Sequence, residues 1–324
     1  MQKCIYKILS VVRRLCYHNL YRKLDDGGRT RMRVAVVTDS TADLTVEEAE
    51  RLGVAMVPLQ IGFGDETLLD RVEITPAAFY RRLREGGVLP TTSQPSPTAF
   101  ADVFSDLLTR HDAIVGAFIS RKLSGTIGAA EMARKMVMES GAAKDGVIEL
   151  IDSRTASYGL GQVIVAAARV AARGGGAAEV GETVRRIMAR SRAYIAVDSL
   201  ESLRRGGRIG GAAALLGSLL QIKPILTVKD GLVSVEEKVR TFQRALDVLA
   251  QRAAREATPG DDGGAPQVSV VHTAAPEHAA ALAERLTRVA PHVEWQVRDM
   301  GPTLGVHLGA GQAGVVYIGQ PTEA

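Results

Sequence analysis

The sequence predicts an α/β protein of two lobes. A mainly parallel sheet flanked by helices forms the first, a mixed α/β unit forms the second, and a ligand cleft lies between them. Three observations predict this. Apolar runs of strand length alternate with helical segments from Arg33 to about residue 190, the rhythm of a parallel sheet covered on both faces. Further apolar runs after residue 190 are less regularly spaced. The 324 residues exceed one typical domain and are enough to bury a core without staples.

Each element has a local reason. Arg33 to Val37 is a short apolar run, a buried strand, followed by the polar loop Thr38-Asp39-Ser40-Thr41. Thr45 and Glu48 have the spacing of a capping box, and Gly53 ends the helix they start. Val54 to Leu59 reads as a strand. Thr75-Pro76 opens a helix that Gly86-Gly87 closes, and Ser96-Pro97 opens another with Phe100, Val103, Phe104 and Leu107 on one face. Ala113 to Ile119 and Val147 to Ile151 are strands, with a helix from about Ile127 between them. Two Ala-rich helices follow, split by Gly174-Gly175-Gly176. In the second half, Tyr194 to Val197, Ile222 to Val228, Val268 to His272, Val293 to Val297 and Gly314 to Ile318 read as strands, and Thr258 to Gln267 as a solvated loop.

Composition excludes several classes. Two cysteines are too few for a disulfide scaffold or a four-cysteine zinc site. No apolar run reaches the roughly 18 residues of a membrane span. Aromatics at 4% argue against base-stacking surfaces, and hence against a nucleic-acid partner. The formal charge of +4 is concentrated at the start. Residues 1–31 hold eight Lys and Arg against Asp25 and Asp26, a net +6, which leaves −2 for the rest. Both cysteines, Cys4 and Cys16, lie there too. The apolar residues Ile5, Ile8, Leu9, Val12, Leu15 and Leu20 recur at near-helical spacing among the basic ones, a pattern that suits an anionic membrane surface. Met32 stands directly before the first strand and is the favoured translation start. Residues 1–32 are therefore read as a separate basic extension, residues 33–319 as the folded unit, and about residue 190 as the divide between lobes 33–190 and 191–319.

Chemistry concentrates in loops. In open parallel sheets, ligands bind beyond the carboxyl ends of the strands. Thr38-Asp39-Ser40, Ser120 to Thr126 and Asp152-Ser153 follow strands, and Thr91 to Ser96 precedes a helix. Capping explains any one of them alone. Four in one half point as much to an anion site, most of all Ser124-Gly125-Thr126 at a helix start. Leu203-Arg204-Arg205-Gly206-Gly207-Arg208-Ile209 is a Gly-bent turn with three arginines, and Gly301 to Gly311 is a Gly-rich loop holding His307. No phosphate-binding P-loop or dinucleotide fingerprint is present, and Gly-x-Ser-x-Gly is missing from the strand-to-helix turns.

Five motifs in order carry a resemblance. Thr38-Asp39-Ser40-Thr41-Ala42-Asp43-Leu44, Thr92-Ser93-Gln94-Pro95-Ser96, Leu123-Ser124-Gly125-Thr126, Leu203 to Ile209 and the last Gly-His-Gly loop together resemble the DegV family from about Arg33 to Gly319. The one departure is His307-Leu308-Gly309-Ala310-Gly311, where the family often has Gly-Pro-Gly.

The resemblance implies a two-lobed fatty-acid-binding protein, similar to the acyl-carrier subunit of bacterial fatty acid kinase. Such a protein is not the catalyst. It holds a long-chain fatty acid such as palmitate and presents it to an ATP-dependent kinase subunit. On this basis Thr92, Ser93, Ser124, Gly125, Thr126, Arg208 and His307 are expected at the carboxylate, Arg204 and Arg205 at a partner-docking surface, and no metal or cofactor is expected. The location implied is the cytoplasm, with transient contact at a membrane surface. The residues alone leave three other readings open: an acyl hydrolase or transferase using Ser93 or Ser124 with His307, an anion-binding module, and a membrane-surface protein resting on residues 1–31.

Overall fold

A computed structural model describes residues 32–141, 147–215, 222–260 and 264–321. The basic extension read in residues 1–32 therefore lies, except for Met32, outside the described residues.

The first half runs β1 (Val34–Asp39), α1 (Val46–Leu52), β2 (Val54–Val57), β3 (Gln60–Phe63), β4 (Glu66–Leu69), α2 (Pro76–Glu85), β5 (Thr91–Ser93), α3 (Pro97–Leu108), β6 (Ala113–Phe118), α4 (Thr126–Glu139), β7 (Val147–Asp152), α5 (Tyr158–Ala172) and α6 (Ala177–Arg190). β2, β1, β6 and β7 form a parallel sheet in that order. Every residue of β1, β2 and β6 is buried, as expected of strands covered on both faces. α3 and α4 pack together on one face, and α1, α5 and α6 cover the other.

The predicted caps form. Thr45 and Glu48 make the reciprocal capping box, and Gly53 closes α1 with φ 66°. Thr75 and Ser96 cap α2 and α3, each with Pro in the first turn. One sheet is missing from the sequence reading. β4, β3 and β5 form a small antiparallel sheet, so Thr91 to Ser93 is not a loop, and the strand expected from Val54 ends at Val57, shortly before β3 begins.

The second half runs β8 (Ser191–Ala196), α7 (Glu201–Arg205), β9 (Lys223–Lys229), β10 (Leu232–Val239), α8 (Phe242–Glu256), β11 (Gln267–His272), α9 (Pro276–Val289), β12 (Glu294–Asp299), α10 (Pro302–Leu308) and β13 (Ala313–Ile318). Its mixed sheet has the order β10-β9-β8-β13-β11-β12, antiparallel except for the β11–β12 pair. Alternation decides what each face meets. Tyr194, Ala196, Val315 and Tyr317 pack with α8 and α9, while Ala193, Ile195 and Val316 turn toward the first half.

Two readings are corrected here. The stretch 301–311 is not all loop. Pro302 at the first helical position and Gly309 past the end, φ 73°, bound a short helix. The Gly-bent arginine turn begins as α7, which ends at Arg205; Gly206 caps it, and Gly207, φ 70°, turns the chain ahead of Arg208.

Buried polar contacts hold the halves together. Arg71 and Asp43 form an ion pair of 2.6 Å, with side chains 5% and 2% exposed. Asp43 also accepts from Ser157 Oγ and Gly301 N–H, and Arg71 donates to Asp299 O. Asp70 accepts from Ser40 Oγ at 2.8 Å and Thr303 Oγ1 at 2.5 Å. Burial pushes the Asp70 carboxyl up to about 6, although Arg71 and the two hydroxyls oppose the shift. Thr303 belongs to α10, so these contacts fix the helix that carries His307.

Candidate functional site

A largely apolar cavity lies between the two sheets. Leu59, Ile119, Ile195, Leu226, Val271, Leu304 and Val316 line much of it. Its empty space, open mouth included, is about 920 Å3. Thr92, Ser124, Arg208 and His307, expected from the sequence, are all on its wall.

These four residues meet at one end. His307 Nε2 lies 3.0 Å from Thr92 Oγ1. Arg208 is close enough to help depress the protonation of His307. Its guanidinium donates to the main-chain oxygens of Leu123, at 3.1 Å, and Gly206, at 2.7 Å, so it sits directly beside Ser124. Among the described residues no carboxylate pairs with Arg208, which leaves this end with an uncompensated positive charge.

His307 is held neutral. Burial, reinforced by the Arg208 charge, pushes its pKa down to about 4. Its Nδ1 is buried without a partner and packs against Gly206, where any Cβ would collide with the ring. A bare nitrogen costs less there than an unpaired N–H, and the nearby Arg208 charge favours a lone pair. With its proton on Nε2, the imidazole donates to Thr92, and Thr92 keeps its own hydroxyl proton to offer elsewhere.

Other wall hydroxyls are already used. Ser157 donates to Asp43, Thr303 to Asp70 and Thr227 to Ala193 O.

The remaining predicted residues surround the wall rather than line it. In β5, neighbours point to opposite sides: Thr92 meets His307, and Ser93 donates to Gln60 Oε1 at 3.0 Å. Thr126 is fully buried, and its Oγ1 is 2.8 Å from Ser124 Oγ. Gly125 precedes α4 and packs against the Gln94 side chain, space a Cβ would fill. Arg204 and Arg205 are exposed on α7. Arg204 pairs with Glu201, and Arg205 donates to Ser202 Oγ.

The Thr38-Asp39-Ser40-Thr41 segment is internal. Asp39 accepts from Thr41 N–H and Ile119 N–H, both at 2.9 Å, so it braces two strand ends rather than a ligand. Sequence reasoning missed the part played by Gly206. Its position inside the quoted arginine motif was the available signal.

Neither serine of the hydrolase alternative touches His307: Ser124 is engaged by Thr126, and Ser93 by Gln60. Among the described residues no cluster of three or more His, Cys, Asp or Glu could hold a metal ion. No described helix is long and apolar enough to cross a membrane.

The model of the family described as "Uncharacterised protein, DegV family" matches residues 33–320. A DegV domain-containing protein of Streptomyces coelicolor is 38% identical over 286 residues, 87% of this chain and 97% of that protein. A solved structure described as fatty acid binding of a DegV family protein from Thermus thermophilus is 34% identical. It superposes with a TM-score of 0.77, covering 89% of this chain and 100% of that one. DegV from Bacillus subtilis, described as a fatty acid binding protein, is 31% identical with a TM-score of 0.77, over 89% of this chain and 100% of its own. Together with the two-sheet architecture and the cavity between the sheets, these matches establish that the chain belongs to the DegV family.

Proposed function

We propose that this protein is a carrier that binds a long-chain fatty acid such as palmitate. The observation behind this is the single polar end, with its unpaired cation, on an otherwise apolar cavity. A carboxylate buried there needs donors and a counter-charge. Arg208 supplies the charge, and Thr92 and Ser124 supply hydroxyls, with His307 orienting Thr92. Ser93, Gly125 and Thr126 shape this end from behind. The acyl chain occupies the apolar remainder, where each buried methylene contributes about 0.8 kcal/mol before ordering costs. The relatives described as fatty-acid-binding support the same ligand class.

The carrier reading extends to a partner. The exposed Arg204 and Arg205 lie four and three residues before Arg208, next to the polar end, where a fatty acid kinase would dock to phosphorylate the carboxylate. On this reading the protein is not itself an enzyme and needs no cofactor. It works in the cytoplasm, meets membranes transiently, and divides into lobes 33–190 and 191–319.

Titration of wild type, Arg208→Ala and Arg204→Ala with palmitate tests the reading. A charge-assisted hydrogen bond of about 1.5–3 kcal/mol makes Arg208→Ala at least about tenfold weaker. Arg204→Ala is expected to bind normally but to be phosphorylated poorly by the kinase. Unchanged affinity in Arg208→Ala overturns the placement of the carboxylate.

A further inference from the structure

The apolar cavity crosses most of the mixed sheet. Among the described residues its wall takes Val233 from β10, Val228 from β9, Ile195 from β8, Val316 from β13 and Val271 from β11. Only β12, the end strand, contributes nothing to it. Arg208 stands at the β10 side, because Gly210, two residues on, packs against the main chain of Val233. The polar end therefore lies over β10, and the apolar remainder runs across the strands toward β12.

One line of paired residues shows where it stops. Leu226 lies opposite Ile195, Ile195 opposite Gly314, and Gly314 opposite Val271. Directly paired residues share a face of the sheet, here the face toward the first half. The next position on that line is Arg298, opposite Val271. Its guanidinium donates to the two Glu48 oxygens at 2.9 and 2.8 Å, and its Cζ lies 3.8 Å from the centroid of the Tyr158 ring. The Arg298 and Glu48 side chains are 12% and 20% exposed. With Tyr158, Gln162 and Gln296 they line a second, polar cavity. The pair is thus a partition between an apolar space and a polar one. An acyl chain that displaced it would strand a buried charge, which is strongly unfavourable.

We propose that the Glu48–Arg298 pair, backed by Tyr158, is the end stop of the acyl chain and limits the ligand to about 16 carbons. This rests on the fatty-acid-carrier reading. From β10 to β11 there are four strand spacings of about 4.8 Å each, a floor of about 19 Å. An all-trans chain advances about 1.25 Å per bond, from a carbon–carbon length of about 1.52 Å and an angle of about 111°. About 15 such bonds fill the floor. A longer acid must either press its tail against the ion pair or lift its carboxylate away from Arg208.

Displacement of a fluorescent fatty acid by saturated acids from decanoic to docosanoic tests this, with wild type, Val271→Phe and the double variant Glu48→Gln/Arg298→Ala. Gln keeps the capping box of α1, and removing both charges together strands neither. The readout is the ratio of affinities within each protein, so a loss of stability does not imitate it. Wild-type affinity is expected to rise roughly tenfold per two methylenes up to palmitic acid, then to fall about tenfold by eicosanoic acid. Val271→Phe fills the last row before the stop, and its preferred acid shortens to myristic or below. In the double variant the fall disappears and eicosanoic acid binds about as well as palmitic, its tail entering the polar cavity. Three results would overturn the end stop and leave the carrier reading standing: wild-type affinity that keeps rising to eicosanoic acid, a Val271→Phe profile like that of wild type, or a double variant that still rejects eicosanoic acid. Failure of every acid to displace the probe from wild type would remove both.

Discussion

His307 Nε2 and Thr92 Oγ1 lie 3.0 Å apart across 215 residues of sequence. This contact joins the short helix α10 to the small sheet strand β5 and closes the polar end of the cavity. Thr92→Val keeps the shape and removes the hydroxyl. A neutral hydrogen bond contributes about 0.5–1.5 kcal/mol, so palmitate affinity is expected to fall about two- to tenfold. Displacement of a fluorescent fatty acid measures this, and equal affinity would exclude Thr92 from the site.

The neutrality of His307 makes a pH prediction. Its folded pKa of about 4 lies below the ordinary 6.5, so the unfolded chain binds the proton more readily. The stability this group contributes is present above about pH 6.5 and is lost as pH falls toward 4, to a limit of roughly 3 kcal/mol. Wild type should therefore lose more stability than His307→Gln over that window. A bound carboxylate opposes the Arg208 charge and should raise the His307 pKa, visible in the ring proton shifts with and without palmitate. A pKa indifferent to palmitate would place the carboxylate elsewhere.

Gly206 is required by space rather than by backbone conformation. Its φ is −74°, open to any residue, but a Cβ there would collide with the His307 ring. Gly206→Ala is expected to lower both the melting temperature and palmitate affinity. In a His307→Ala background the same change should cost little, because the obstacle is gone. A cost that is equal in both backgrounds would refute the contact as its cause.

The Asp43–Arg71 pair is almost fully buried. Removing one partner of such a pair leaves a stranded charge and typically costs about 3–5 kcal/mol. Asp43→Ala should therefore be strongly destabilised in urea melts, and Asp43→Ala with Arg71→Met less so than Asp43→Ala alone. Additive losses would show that the two side chains act independently.

Local signals carried much of the architecture. Strands buried on both faces read as unbroken apolar runs, as in β1 and β6, and caps such as Thr45–Glu48 are written within four residues. In the small sheet the β3–β4 hairpin carries a local signal in its Gly64-Asp65 turn, but β5 was not legible, because Gly62 pairs with Thr91 and Ile61 with Thr92, far apart in sequence and polar on one side. β10 was hidden differently: Ser234, Glu236, Glu237 and Lys238 give it little apolar pattern, although the Asp230-Gly231 turn before it is a local hairpin signal. α10 was hidden by the glycines that bound it. At the site, the motifs indicated loops that line the cavity but not which neighbour faces inward. Only the pleat of β5, set by its pairing with β3, turns Thr92 toward His307 and Ser93 toward Gln60.

The most direct test of the carrier role is mass spectrometry of an organic extract from protein purified without added lipid, together with the native mass of the intact chain. The account predicts one fatty acid per chain, lost on extraction. Lipid-free protein that also fails to take up added palmitate would contradict it.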